Sequence, residues 1–270
     1  MTTTKKTAPA AEVPAGFVAG GATHDATGEG VTRLPGLANL RDVSTHVSGI
    51  VSGMLLRSDA PFADDDHAGY PTAWPPRTVI DLRTGGEQVG VGAEHALAAH
   101  AEVVHLPVMG EKSTDPGAFP ATLGETYVDM LHSAGPMLVE GLRAIATGPA
   151  PVLVHCAAGK DRTGTLVALA LVLAGADRAE VVVDYEATDP NMDGVHARMG
   201  TSAHVVMQQF EAAGIDMSGL MGAKAPDMEA VLDAVEAFDG GAEGWFTAHG
   251  GTAEDLQALR ARLCEGGAVE

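Results

Sequence analysis

Hydrophobic and polar positions change rhythm several times along the chain. Short apolar pieces bounded by Gly, Pro or polar residues recur at LANLRDVS (37–44), GMLLRSDAP (53–61), TVIDLRT (78–84), AEVVHLPVM (101–109) and VLVHC (152–156). Runs of this length predict strands, and runs without polar alternation predict strands buried on both faces, as in parallel sheets. Between and after them, EHALAAH (94–100), TLGETYVDMLHS (122–133) and PMLVEGLRAIAT (136–147) carry apolar residues at helical spacing. TGTLVALALVLAGA (163–176) predicts a buried helix closed by Gly175. Beyond Arg178 no strand pattern remains. AEVVVDYEAT (179–188), HVVMQQFEAAG (204–214), DMEAVLDAVEAF (227–238) and AEDLQALRARL (253–263) continue as helices. Strands alternating with helices predict an α/β domain: a central, mainly parallel sheet flanked by helices, with a helical C-terminal portion. The expected bounds are a mobile tail over 1–33, a domain over 34–264 and a short tail over 265–270.

Composition narrows what such a domain does. The chain has 270 residues and is 46% hydrophobic, enough for a sizeable core. Its formal charge is −20, so it lacks the basic face of a nucleic-acid binder and is repelled by anionic membrane surfaces. Two cysteines, Cys156 and Cys264, make no disulfide framework. The N-terminal stretch shows no secretory h-region, and the longest apolar run, Leu166 to Ala174, is too short to span a bilayer. A cytoplasmic setting without membrane insertion is the expectation, although export without a signal would leave no trace. Oligomeric state has no signature here.

The chemistry concentrates at one junction, where the strand VLVHC meets the buried helix through Ala157, Ala158, Gly159, Lys160, Asp161, Arg162 and Thr163. In open α/β sheets ligands bind at the C-terminal strand ends. Small residues let successive amides curl around one point, and a helix N-terminus behind them favours an anion. Arg162 offers a planar fork for two phosphate oxygens, and Lys160 a second positive charge. Cations and helix N-termini stabilise a thiolate, so Cys156 is expected to be a nucleophile held beside an oxyanion trap. A strand cysteine is more often structural, but the residues that follow this one argue against that. The spacing is not that of a Walker A loop.

The run HCAAGKDRTG, with Cys156 and Arg162 in a C-x5-R arrangement, resembles the cysteine-dependent tyrosine phosphatase superfamily. Together with NLRDV (39–43), LLRSDAP (55–61) and VIDLRTGGE (79–87), it is similar to the bacterial and fungal tyrosine/serine phosphatases with Lys and Asp in the phosphate loop. The resemblance covers Leu34 to Leu263. It implies hydrolysis of phosphotyrosine, extending to phosphoserine/threonine and phosphoinositides. FDGGAEGWFTAHGGT (238–252) departs from that pattern.

Roles remain open around this centre. His155 is a core imidazole at the strand–loop junction, which the resemblance would have orient the backbone around Cys156. Thr163 either begins the helix or bonds the sulfur. The general acid is Asp161, which the resemblance favours; Asp81, beside Arg83 at a strand end; or Asp115, in the loop 109–120. Cations on both sides of Asp161 disfavour its protonated form. Arg41 and Arg57 are expected to pair with Asp42 and Asp59; for Arg83, beside Asp81, pairing and a supporting part in the site stay open. Methionines at 192, 199, 207, 217 and 221 pack an irregular core or form a helical lid over 190–225. His95, His100 and His105, five apart, align on no one face, so neither a metal nor any other cofactor is expected. The expected partner is a phosphorylated protein. The alternatives are a phosphoinositide, a non-catalytic phosphate-recognition module, and sulfur transfer or arsenate reduction.

Overall fold

A computed structural model describes residues 36–88, 94–108, 122–199 and 222–264. The expected tails over 1–33 and 265–270, Asp115, the helix at 204–214 and the middle of the 190–225 segment lie outside the described residues. Five strands form one sheet in the order β1-β2-β5-β3-β4. They are β1 (Arg41–Asp42), β2 (Leu55–Ser58), β3 (Thr78–Asp81), β4 (Glu102–His105) and β5 (Val152–His155). β1 runs antiparallel to β2, and the other three pairings are parallel. The mainly parallel α/β architecture therefore stands as expected.

β2, β3 and β5 are buried at every residue, which is why their sequences lack polar alternation. Their side chains divide between two faces. Leu55, Ile80, Val152 and Val154 join the large core under the helices, whereas Leu56, Val79 and Leu153 meet Leu97 on the other side. The edge strand β4 is only partly buried.

The helices are α1 (Gly85–Gln88), α2 (Leu123–Ser133), α3 (Gly135–Thr147), α4 (Asp161–Ala174), α5 (Arg178–Glu186), α6 (Met192–Met199), α7 (Ala225–Glu236), α8 (Gly241–Ala248) and α9 (Ala253–Leu263). α4 is buried along nearly its whole length and ends at Gly175, whose φ of 88° is the left-handed conformation of a helix C-cap. α2 packs on α7, and α3 on α9, around it. The stretch 94–100 is a correction: it forms turns, not a helix, because it only bridges to β4 with Leu97 tucked against the sheet. Met192, at the start of the expected lid, is a buried core residue. No helix among the described residues is long and apolar enough to cross a membrane.

Candidate active site

The register places Ser58, Asp81 and His155 side by side, so β2, β3 and β5 end at one level. Cys156 follows at the floor of the loop, with 1% of its surface exposed. The next four residues lead into α4, whose first turn begins when Gly164 N–H donates to Lys160 O at 2.7 Å.

The loop's carbonyls are all held from outside. The Cys156 carbonyl lies 3.0 Å from His155 Nδ1. The Ala157 carbonyl accepts from Ala60 N at 3.0 Å. Asn39 Nδ2 donates to the carbonyls of Ala158 (3.3 Å) and Gly159 (3.2 Å), and Arg57 Nη2 donates to Gly159 at 3.0 Å. In a trans peptide the following N–H points opposite to the carbonyl. Carbonyls 156–159 turned outward therefore turn the amides of Ala157, Ala158, Gly159 and Lys160 inward, which makes an anion nest. Gly159 is required here. Its φ is +70°, and a Cβ would sit 2.2 Å from Ser58 O.

The tethers are themselves anchored, in a way that corrects the expected pairings. Arg41 and Arg57 both bind Asp184 of α5, at 3.1 and 2.5 Å, instead of Asp42 and Asp59. Asp59 binds Arg198 of α6 at 2.6 Å and accepts the Asn39 amide at 2.8 Å. Asp42 instead caps the turn after β1, accepting from Ser44 N at 3.0 Å and Gly53 N at 2.6 Å. The sequence neighbours of these arginines are engaged by backbone groups, so the guanidiniums reach across to helices.

Arg162 is gripped by Glu87 of α1, with Nη1 and Nη2 each 2.6 Å from a carboxylate oxygen, and Nη1 also reaches Leu82 O at 3.2 Å. Burial would push the guanidinium down, but the Glu87 bonds and the nearby Cys156 sulfur hold it up, so it stays charged. Burial likewise pushes Glu87 up, and the bonds from Arg162 outweigh it and hold that carboxyl low. Such a bidentate clamp fixes the plane of the fork.

Asp81 and Asp161 differ sharply. Arg83 donates to Asp81 through its amide (3.0 Å), Nε (2.9 Å) and Nη2 (2.8 Å). Burial pushes the Asp81 carboxyl up; the hydrogen bonds and charge of Arg83 pull it down, and the pull prevails. Its side chain is 1% exposed, whereas that of Asp161, at the mouth of the loop, is 31% exposed. Tyr127 of α2 donates to Asp161 Oδ1 at 2.5 Å, and Lys160 Nζ lies 3.5 Å from the same oxygen. Lys160 is otherwise buried, with Nζ 3.3 Å from Gly222 O. The Thr163 hydroxyl is buried and has no hydrogen-bond partner among the described residues.

Asp81, His95 and His155 bring ligand atoms within 4.8 Å of one another, a grouping that the five-residue histidine spacing gave no sign of. Backbone partners assign the protons. His95 Nδ1 accepts from Leu97 N at 3.1 Å, so its Nε2 carries the hydrogen and donates to His155 Nε2 at 2.9 Å. His155 Nδ1–H then donates to the Cys156 carbonyl. With one lone pair spent on Leu97 and the other site protonated, His95 is not disposed to ligate an ion; the hydrogen bonds run from His95 through His155 to the Cys156 carbonyl, and Asp81, 3.7 Å from His155 Nε2, stands beside them. Burial keeps both rings neutral, pulling His95 down to about 4 and His155 to about 3.

The structure thus gathers Cys156, Ala157, Ala158, Gly159, Lys160, Asp161, Arg162, Thr163 and His155 on one junction, with Asp81 and Arg83 paired at its edge. The sequence reading missed Asn39, Glu87, His95, Tyr127 and Asp184 as contributors. Asn39 and Glu87 do fall inside the stretches NLRDV and VIDLRTGGE, but nothing local marks them as tethers.

Comparison with known proteins places the chain that carries this cysteine, loop and clamped arginine. The family model described as the tyrosine phosphatase family matches residues 32–265. A tyrosine-protein phosphatase of Nostoc commune is 32% identical over 194 residues, covering 70% of this chain and 66% of that protein, just under two thirds of its length. The triple specificity protein phosphatase PtpB of Mycobacterium tuberculosis is 27% identical over 214 residues, covering 67% of this chain and 76% of that protein. With nearly all of the described chain inside the matched range, and Cys156 and Arg162 set in the nest at its centre, the protein belongs to the tyrosine phosphatase family.

Proposed function

We propose that the protein hydrolyses phosphotyrosine in proteins, and phosphoserine or phosphothreonine as well, through a phosphocysteine intermediate. The observation that carries this is the set of outward-tethered carbonyls, which turns four amides into the loop that follows Cys156, with the Glu87-clamped Arg162 close enough to feel the charge of the Cys156 sulfur. The Cys156 sulfur attacks phosphorus as the bond to the leaving oxygen breaks, and Asp161 gives that oxygen a proton. Water then attacks the phosphocysteine, Asp161 takes a proton back, and the sulfur departs with its electron pair. The amides and Arg162 hold the equatorial oxygens as charge spreads over them. The unpaired Thr163 hydroxyl is available to bond the departing sulfur.

Asp161 is a better donor than Asp81 because it is the more exposed and is not locked to an arginine through both oxygens. The His155 ring, neutral and hydrogen-bonded on both nitrogens, fixes the floor of the loop and moves no proton. Lys160 is placed to read the substrate. A cytoplasmic setting accords with the two unpaired cysteines.

A phosphoinositide is the second substrate reading, since Lys160 could meet an extra ring phosphate and the Mycobacterium relative is named for triple specificity. The acidic net charge favours protein substrates. Cys156→Ser is expected to abolish hydrolysis of an aryl phosphate. Turnover persisting in that variant would exclude the mechanism, and binding without turnover in the wild type would make the site a recognition module. Rates on a phosphotyrosyl peptide against soluble inositol phosphates choose between the substrates.

A further inference from the structure

We propose that Tyr127 and Tyr185 form a donor chain that positions the general acid and decides which of its oxygens carries the transferable proton. The inference rests on Asp161 being that acid. Asp161 opens α4, and its carboxylate turns about two side-chain torsions, the second of which decides which oxygen faces a donor held from outside. The Tyr127 hydroxyl supplies that control from α2, at 2.5 Å from Oδ1.

The direction of the chain follows from proton counting. Tyr127 has one hydroxyl proton, and an ionised carboxylate can only accept, so that proton goes to Asp161. The second hydroxyl contact, 2.9 Å from Tyr185, must then run from Tyr185 to the Tyr127 oxygen. Both rings are buried and their hydroxyls are pushed far above the ordinary range by burial and by the Asp161 charge, so neither gives up its proton. Gly164 makes room for the chain, because a Cβ there would stand 2.9 Å from the Tyr185 ring.

Lys160 Nζ lies on the same side, 3.5 Å from Oδ1. Arg162 and Asp227 also act on the Asp161 charge, from the loop and from α7. Oδ1 is therefore the oxygen held by donors in both protonation states. The exchangeable proton resides on Oδ2, which delivers it to the leaving oxygen. Tyr127 and Tyr185 are positioning residues: they act through Asp161 and do not touch the reacting atoms.

The test separates positioning from bulk structural damage by the leaving group. Phenyl phosphate expels a phenolate that needs a proton, whereas dinitrophenyl phosphate expels one that does not. Asp161→Asn is expected to lower kcat on phenyl phosphate about a hundredfold or more and to change dinitrophenyl phosphate far less. Tyr127→Phe keeps the acid but loosens it, so its kcat on phenyl phosphate falls about tenfold, the loss of one hydrogen bond to a charged group, with dinitrophenyl phosphate little changed. Tyr185→Phe shifts the same ratio in the same direction by less, and it carries the test if Tyr127→Phe does not fold. Equal losses on both substrates, or no loss, would overturn the proposal while leaving the acid in place. A flat response for Asp161→Asn itself would remove the acid assignment, and the tyrosine chain with it.

Discussion

Asn39→Ala isolates the tethering of the phosphate loop from the chemistry done inside it. The side chain is fully buried, and its Nδ2 holds the carbonyls of Ala158 and Gly159. Its Oδ1 also accepts from Arg41 Nη1 at 2.6 Å. Three neutral bonds at about 1 kcal/mol each, the third from Asn191 Nδ2 to Oδ1, and one to a guanidinium at about 1.5–3 kcal/mol, bound the loss at about 6 kcal/mol. Arg41 keeps Asp184 and Thr188 as partners, which brings the expected loss to about 2–4 kcal/mol by urea unfolding. Freed carbonyls let the amides at 159 and 160 rotate away from the anion. Inhibition by inorganic phosphate or vanadate should then weaken about tenfold, as if one hydrogen bond to a charged oxygen were lost. Asn191→Ala is the control, since Asn191 touches Asn39 Oδ1 at 3.2 Å from outside and does not reach the loop. It should leave the inhibition constant unchanged. If Asn39→Ala loses stability as expected but binds vanadate as tightly as the wild type, the carbonyl tethers do not organise the nest, and that part of the reasoning fails.

Glu87→Gln removes the charge that clamps Arg162 while leaving its size; kcat should fall about tenfold with folding retained, and an unchanged kcat would show that the loop alone fixes the guanidinium. Gly159→Ala forces a Cβ against Ser58 O in a left-handed backbone, so it should cost about 3 kcal/mol or more and abolish vanadate binding, with a folded, vanadate-binding variant as the contrary result. His155 sits neutral with its proton affinity pulled by burial from the ordinary 6.5 to about 3, so the unfolded chain binds the extra proton first as pH falls. From this ring stability should therefore drop below about pH 6.5, by ~1.4 kcal/mol per pH unit and about 2 kcal/mol at pH 5, with His95 adding its own loss over the same window, and His155→Gln should lessen the slope of Tm against pH there.

Sequence pattern reached the strand–loop–helix junction more readily than the side chains that tether it. β5, the loop and α4 are contiguous, so the alternation of an apolar strand, small residues and an apolar helix places Cys156, Arg162 and the amides without knowledge of anything distant. The tethers are of another kind. Asn39 meets Gly159 across 120 residues, Arg57 meets Asp184 across 127, and Arg162 meets Glu87 across 75. Arg41 and Arg57 have acidic neighbours in sequence, and proximity along the chain pointed to the wrong carboxylates. Asp42 and Asp59 are drawn off by backbone amides and by Arg198, a competition that only the fold reveals. The stretch 94–100 shows the same limit: helical spacing over so few residues yields to the geometry of a short connection, and its His95 becomes a partner of His155 instead of a member of a histidine series.

The central claim is that the phosphoryl group passes through the Cys156 sulfur. Mixing the protein with an aryl phosphate, quenching in acid within one turnover and mapping the digested peptides by mass tests it most directly. A phosphoryl adduct on the peptide that carries Cys156, formed and consumed at rates compatible with turnover, is the predicted result. Steady turnover with that peptide never modified, or with the phosphoryl group on another residue, would contradict it.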